Sequence, residues 1–206
     1  RDLVVRYGNG PFGPGADLAT LVAACPNLEK FELGGACKAD LAATFSALGN
    51  LGMLRHLEVQ VDHASLVELQ KRCLGKLSHL EVLKLVYDDK RALPNWGSFS
   101  LAGVQEFSLQ SPHLQLDASS VIATGQSLQK LTLLWVFGNR EIEILPELPN
   151  LRYFCFPVGA RGGQDLPERV TQSLERVATW HYSSEVPDVA RVPNVARVRV
   201  SRRLQR

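Results

Sequence analysis

A six-residue pattern, Leu-x-x-Leu-x-Leu, recurs along almost the whole chain and constrains its fold more than any other feature. Six clear copies begin at Leu28, Leu54, Leu80, Val104, Leu128 and Leu151, and two weaker copies begin at Leu174 and Val195. The starting positions are 26, 26, 24, 24, 23, 23 and 21 residues apart. The segment 3–7 fits as a further, partial copy upstream of the first clear one. A recurrence at this period indicates one supersecondary unit repeated in line.

The spacing within each copy is that of a short β-strand. Alternate side chains of a strand point to opposite faces, so the leucines of the pattern face a core and the residues between them face outward. One repeat cannot cover its own apolar side and is stabilised by stacking on its neighbours. We therefore predict an α/β fold with one parallel sheet of about eight strands, in a single domain that spans residues 1–206.

The segments that connect the predicted strands differ between the two halves of the chain. Residues 17–24, 39–48 and 64–74 have the apolar spacing of short amphipathic helices. After residue 90 the connections are shorter and contain several prolines, and proline breaks helices. We predict short helices on the convex side of the N-terminal half and irregular returns in the C-terminal half, with stronger curvature where the helices lie.

This arrangement resembles the leucine-rich repeat family over residues 28–200. The asparagine position of that family, three residues after the last strand leucine, is occupied here by Ala36, Asp62, Asp88, Pro112, Val136 and Gly159. The repeats are therefore irregular, and they are similar to those of intracellular plant immune receptors (the NBS-LRR type) or F-box proteins. The resemblance implies a horseshoe-shaped solenoid that binds another protein on its concave sheet face.

Solenoids of this kind expose core and sheet edge at their ends unless polar caps cover them. The pattern starts at residue 3 or 28 and runs to Val200, which leaves no recognisable cap beyond the arginine-rich end of the chain. We therefore expect these 206 residues to be part of a longer chain.

One motif suggests cofactor binding. Residues 8–13 fit the G-x-G-x-x-G pattern of dinucleotide-binding turns, and Glu32 stands where such folds keep a ribose-binding acid. Pro11 and Pro14 remove backbone N–H donors that a pyrophosphate would need. We interpret the segment as a loop or an edge-capping turn, and we expect no cofactor.

The titratable residues form no motif of catalysis or metal binding. The five histidines are dispersed, and His56 is the one that the pattern places on the outward face, where we interpret it as an ordinary surface residue. Asp62 and Asp88 occupy equivalent positions of the pattern, which favours a turn-stabilising role. We therefore expect neither an enzyme nor a metal site.

The outward positions of the pattern predict where a partner binds. The first repeats present acids, the later ones present aromatic and apolar residues, and arginines follow at the end. Interface energy concentrates in a few aromatic and arginine side chains. Trp180 could instead be a core residue, because a one-residue slip of register in its degenerate repeat would turn its side chain inward. The predicted partner-binding residues are Leu134, Tyr153, Pro157, Arg176, Trp180 and Arg199.

The charge distribution supports a second interpretation. The net charge is only +2, but six arginines and no acid follow residue 190. The favoured function is a protein-binding module or scaffold. The alternative is binding of nucleic acid or another acidic surface through Arg197, Arg199, Arg202 and Arg203. The four cysteines form no C-x-x-C pair and no apolar stretch could span a bilayer, so we expect a cytoplasmic or other reducing intracellular compartment.

Overall fold

The computed structural model describes residues 1–6, 18–34, 41–89, 100–111, 122, 124–134, 148–158 and 176–181. Eight strands lie in these segments: β1 Asp2–Arg6, β2 Lys30–Gly34, β3 His56–Val61, β4 Val82–Tyr87, β5 Glu106–Gln110, β6 Lys130–Leu134, β7 Tyr153–Val158 and β8 Arg176–His181. The helices with described bounds are α1 Leu18–Ala23, α2 Ala42–Leu48, α3 His63–Arg72 and a 3-10 turn at Leu74–Lys76.

The eight strands form one sheet in which their order follows the sequence and every neighbouring pair is parallel. The predicted α/β fold with a single parallel sheet is confirmed. β1 is the partial copy of the pattern upstream of Leu28, and β2 to β8 follow the copies that begin at Leu28 to Leu174. The last copy, at Val195, lies outside the described residues.

The pairing register aligns equivalent positions of the pattern from strand to strand. The column of third positions runs through Lys30, His56, Val82, Glu106, Lys130, Tyr153 and Arg176. The repeat read from the sequence is therefore also the repeat of the sheet, and equivalent outward residues lie side by side.

A backbone hydrogen-bond pattern recurs where one strand after another begins. The carbonyl at the second position of one repeat accepts N–H groups from the second and third positions of the next, at 2.8 to 3.3 Å. The shared acceptors are the carbonyls of Arg1, Glu29, Arg55, Glu81, Gln105 and Gln129. This satisfies two backbone donors per repeat and fixes each strand's entry relative to its neighbour.

A turn precedes each of six strands, β2 to β7. The first residue of the pattern donates its N–H to the carbonyl three residues earlier, at 2.9 to 3.4 Å. The acceptor residue is a buried leucine in four of these six turns, namely Leu51, Leu77, Leu101 and Leu148. These leucines extend the apolar pattern by one position toward its N-terminal side.

The helices cover one face of the sheet. Val22, Phe45 and Leu66, from α1, α2 and α3, belong to the same hydrophobic core as the inward residues of the strands. The three helices predicted in the N-terminal half are therefore confirmed, with slightly shorter bounds. The irregular returns predicted after residue 90 lie largely outside the described residues.

Asp62 stabilises the beginning of α3. Its carboxylate oxygen Oδ1 accepts the backbone N–H of Ser65 at 2.8 Å. This is a helix N-cap, which satisfies one of the free N–H groups of the first turn. The side chain thus has a structural partner, as the turn-stabilising interpretation requires.

Cys73 makes stability depend on pH. Burial raises the pKa of its thiol from an ordinary value of 9.0 to about 12. Between these two values the unfolded chain loses a proton that the folded chain keeps, so the free energy of unfolding falls as pH rises, and below pH 9 this effect is absent. We expect urea unfolding to show a smaller loss of stability from pH 8 to pH 10 in Cys73→Ala than in the parent. Equal losses in the two proteins would contradict this assignment.

Candidate functional site

The face of the sheet opposite the helices is open along its described part. Burial alternates along β2 to β5, with inward residues buried and outward ones only half-buried. We call this surface the open face. Its half-buried third and fifth positions on β2 to β6 are Lys30, Glu32, His56, Glu58, Val82, Lys84, Glu106, Ser108, Lys130 and Thr132. The strands hold these side chains in fixed rows because each strand is hydrogen-bonded to its neighbours.

Charges on the open face alternate in sign and pair with one another. Ion pairs join residues within β2 and bridge neighbouring strands from β3 to β6. They are Lys30–Glu32 at 2.7 Å, Lys84–Glu58 at 3.5 Å, Lys84–Glu106 at 4.0 Å and Lys130–Glu106 at 2.8 Å. Because three lysines face three glutamates, the formal charges of these six residues cancel.

Tyr153 follows this ladder of charges on β7. The ammonium nitrogen of Lys130 lies 5.6 Å from the centre of its ring, a distance typical of a cation–π contact. The Tyr153 side chain is half-buried. Of the predicted partner-binding residues, Tyr153 is the one whose side chain the structure describes.

Cys155 lies at the outward position that the pattern gives it but is buried there. The register aligns it with Thr132, as predicted, but only 7% of its surface is exposed. Burial raises the pKa of the Cys155 thiol, and a hydrogen bond with the Tyr153 side chain opposes that shift. Cys155 therefore contributes little surface to a partner.

The other predicted partner-binding residues are placed by their backbones. Leu134 ends β6, Pro157 and Trp180 lie level on β7 and β8, and Arg176 lies level with Tyr153. The register of β8 is therefore the one that the pattern predicts. Arg199 lies outside the described residues, as do Arg197, Arg202 and Arg203, and the glycine-rich segment 8–13 does too.

The structure also brings together three residues that we had not grouped from the sequence. Glu32 is paired with Glu58 across β2 and β3, and His56 lies two residues before Glu58. One ligand atom from each of the three lies within 4.8 Å of the other two. His56 differs from the ordinary surface residue expected from the sequence, because only 20% of its side-chain surface is exposed. The repeat spacing of 26 residues could have revealed this grouping, because it places Glu32 and Glu58 at the same position of consecutive copies.

Burial of His56 favours its neutral form. Desolvation is the largest cause that lowers the pKa of its imidazole, and the positive charges of Lys84 and Lys30 add to it. Glu58 and Glu32 act in the opposite direction. The pKa of His56 therefore lies below the ordinary histidine value.

Comparisons of the chain with protein-family profiles, with curated proteins and with solved structures give no match. Within the described ranges, none of the helices combines the length and the apolar character needed to span a membrane. The arguments for function therefore rest on the fold and on the open face.

Proposed function

We propose that this chain is a leucine-rich-repeat solenoid whose open face binds another protein and carries out no catalysis. The sequential order of the parallel strands supports a solenoid, because each repeat then contacts only its neighbours. The recurring hydrogen bonds at the strand entries support it as well. Helices take up more width than strands, so repeats with helices on one side of the sheet stack along a curve. The open face would then lie on the concave side of a horseshoe.

The observation that carries the proposal is that one face of the sheet is partly exposed, whereas the inward side chains of β2 to β5 are buried in the core. Inward residues such as Phe31, Leu57 and Phe107 are completely buried, whereas their neighbours on the open face keep part of their surface. A rigid array of partly exposed side chains loses little conformational entropy on binding, which favours affinity. Extended surfaces of stacked repeats are the binding surfaces of such proteins.

The charge pattern of the open face favours a protein over a nucleic acid as its partner. Phosphate binding requires unpaired lysine or arginine side chains that release counterions. On β2 to β6 the lysines are instead paired with glutamates. The C-terminal arginines, which motivate the nucleic-acid alternative, lie outside the described residues.

Crosslinking from defined positions tests the proposal. A photoreactive phenylalanine analogue would replace Tyr153 on the open face or, as the control, Val67 on α3, which is 37% exposed. Both proteins would be irradiated in native extract and their adducts identified by mass spectrometry. We expect one protein to be captured from position 153 and not from position 67. Capture from position 67 alone, or from neither position, would overturn the proposal.

We expect Tyr153→Ala to weaken binding of the captured protein by about 2 kcal/mol, roughly thirtyfold in Kd. The ring would fill a partner pocket, and its loss removes an aromatic anchor while Lys130 keeps its ion pair with Glu106. Binding of the purified proteins would be measured by calorimetry at low and high salt. The loss should depend little on ionic strength, because it removes apolar contact area.

Two variants control for other sites on the chain. Tyr153→Phe keeps the ring and should retain most of the affinity, and Glu58→Ala alters the acidic end of the open face. If Tyr153→Ala binds like the parent and Glu58→Ala does not, the partner occupies the N-terminal strands and the assigned site is wrong. Thermal unfolding of each variant shows whether a loss of binding comes from a loss of folding.

A further inference from the structure

We propose that Glu32, His56 and Glu58 form a binding site for a divalent transition-metal ion of the zinc class on the open face. The site lies on the proposed protein-binding face, but metal affinity can be measured on the isolated chain, so the two proposals can be tested separately. It also differs from our expectation from the sequence, which contains no contiguous metal-binding motif. Its ligands come from two strands that the parallel register brings together.

The register explains why the three ligands converge. Glu32 and Glu58 lie directly opposite each other on β2 and β3, and residues two apart on a strand share a face, so His56 joins them. Two carboxylates directly opposite each other repel, and the ammonium groups of Lys30 and Lys84 offset part of that repulsion. The three ligand atoms lie within 4.8 Å of one another.

His56 supplies the strongest indication of a ligand. Its Nε2 atom is buried and has no hydrogen-bond partner among the described residues. The carboxylate oxygen Oε2 of Glu58 is 3.7 Å away, beyond hydrogen-bonding distance. A buried polar atom without a partner is unfavourable, and coordination to a metal would satisfy it.

The donor set selects the class of metal. One imidazole nitrogen with two carboxylate oxygens suits zinc, cobalt or nickel, whereas magnesium and calcium prefer oxygen donors alone. Zinc with three protein ligands keeps a fourth position open. Bond lengths of about 2.0–2.2 Å require the ligand atoms to draw closer together. The two glutamate side chains are only partly buried and can rotate to reach them.

Two lysines compete with a metal for the carboxylates. The Nζ atom of Lys30 is 2.7 Å from Oε1 of Glu32, and the Nζ atom of Lys84 is 3.5 Å from Oε2 of Glu58. Surface ion pairs of this kind contribute little free energy, so a divalent ion can displace them. Lys84 has a second acceptor in Glu106 at 4.0 Å, and Lys30 lies beside Asp2 in the register of β1 and β2. Both ammonium groups therefore keep an acid nearby when the metal binds.

Titration of the full chain with zinc tests this site. The protein, freed of metal with a chelator and dialysed, would be titrated with zinc chloride by calorimetry, and with cobalt chloride by visible absorption. We expect one zinc ion per chain, and cobalt bands whose intensity indicates tetrahedral coordination. His56→Ala and Glu32→Gln should each weaken zinc binding by at least about tenfold, since loss of even outer partners of a metal ligand has effects of that size.

The matched control is His79→Ala, which removes an exposed histidine outside the cluster. It should bind zinc like the parent. Nitrogen-detected magnetic resonance should show the Nε2 signal of His56 shifting on addition of zinc, and circular dichroism should show that the variants fold. Unchanged zinc affinity in both His56→Ala and Glu32→Gln, or no uptake by the folded parent, would overturn the proposal.

Discussion

Phe107→Ala should lower the free energy of unfolding by about 3–5 kcal/mol, the range found for truncation of buried aromatic side chains. Phe107 is completely buried on β5 and is level with Leu83 on β4 and Leu131 on β6. Its ring therefore helps to join three repeats. Alanine would leave a cavity between the neighbouring strands β4 and β6. Unfolding in urea, followed by circular dichroism, measures the loss.

Ser108→Ala is the matched control for this prediction. It changes the next residue of the same strand, which is half-buried on the open face. We expect its unfolding free energy to stay within about 0.5 kcal/mol of the parent value, as for most surface substitutions. If the two variants lost similar stability, the assignment of inward and outward faces on β5 would be wrong.

Gly49→Ala should destabilise the chain by about 3 kcal/mol, near the top of the range for overpacked interiors. Gly49 follows α2 with φ of −63°, a conformation that alanine adopts freely, so backbone strain is not the cause. A Cβ atom at this position would lie 2.4 Å from the carbonyl oxygen of Arg72 and 3.2 Å from Cα of Cys73. Both contacts are to backbone, which cannot move aside without shifting the end of α3.

The control for Gly49 is Gly52→Ala, three residues further along the same connection. A Cβ atom there would have no heavy atom within 4 Å. Thermal unfolding of the two variants should therefore differ clearly, with Gly52→Ala close to the parent. A neutral or stabilising effect of Gly49→Ala would show that α2 and α3 approach each other less closely than described.

Much of the fold was predictable because a repeating chain makes its main contacts between neighbouring repeats. The spacing of leucines located the described strands β2 to β8, and the apolar spacing between them located α1, α2 and α3. The same frame predicted that Tyr153 would lie level with Lys130 and Arg176, and the register agrees. One short apolar pattern defines which face of each strand is buried, and stacking of equivalent positions then defines the register.

Features that depend on distances between side chains were decided by the tertiary structure alone. The pattern placed Cys155 on the outward face, and the register agrees, but its side chain is buried there. The need for glycine at position 49 appears only when α3 packs against the end of α2. The convergence of Glu32, His56 and Glu58 likewise needs residues from two repeats to meet. Local spacing defines strands, helices and faces, whereas shielding, close approach and ligand geometry arise only when separate segments pack together.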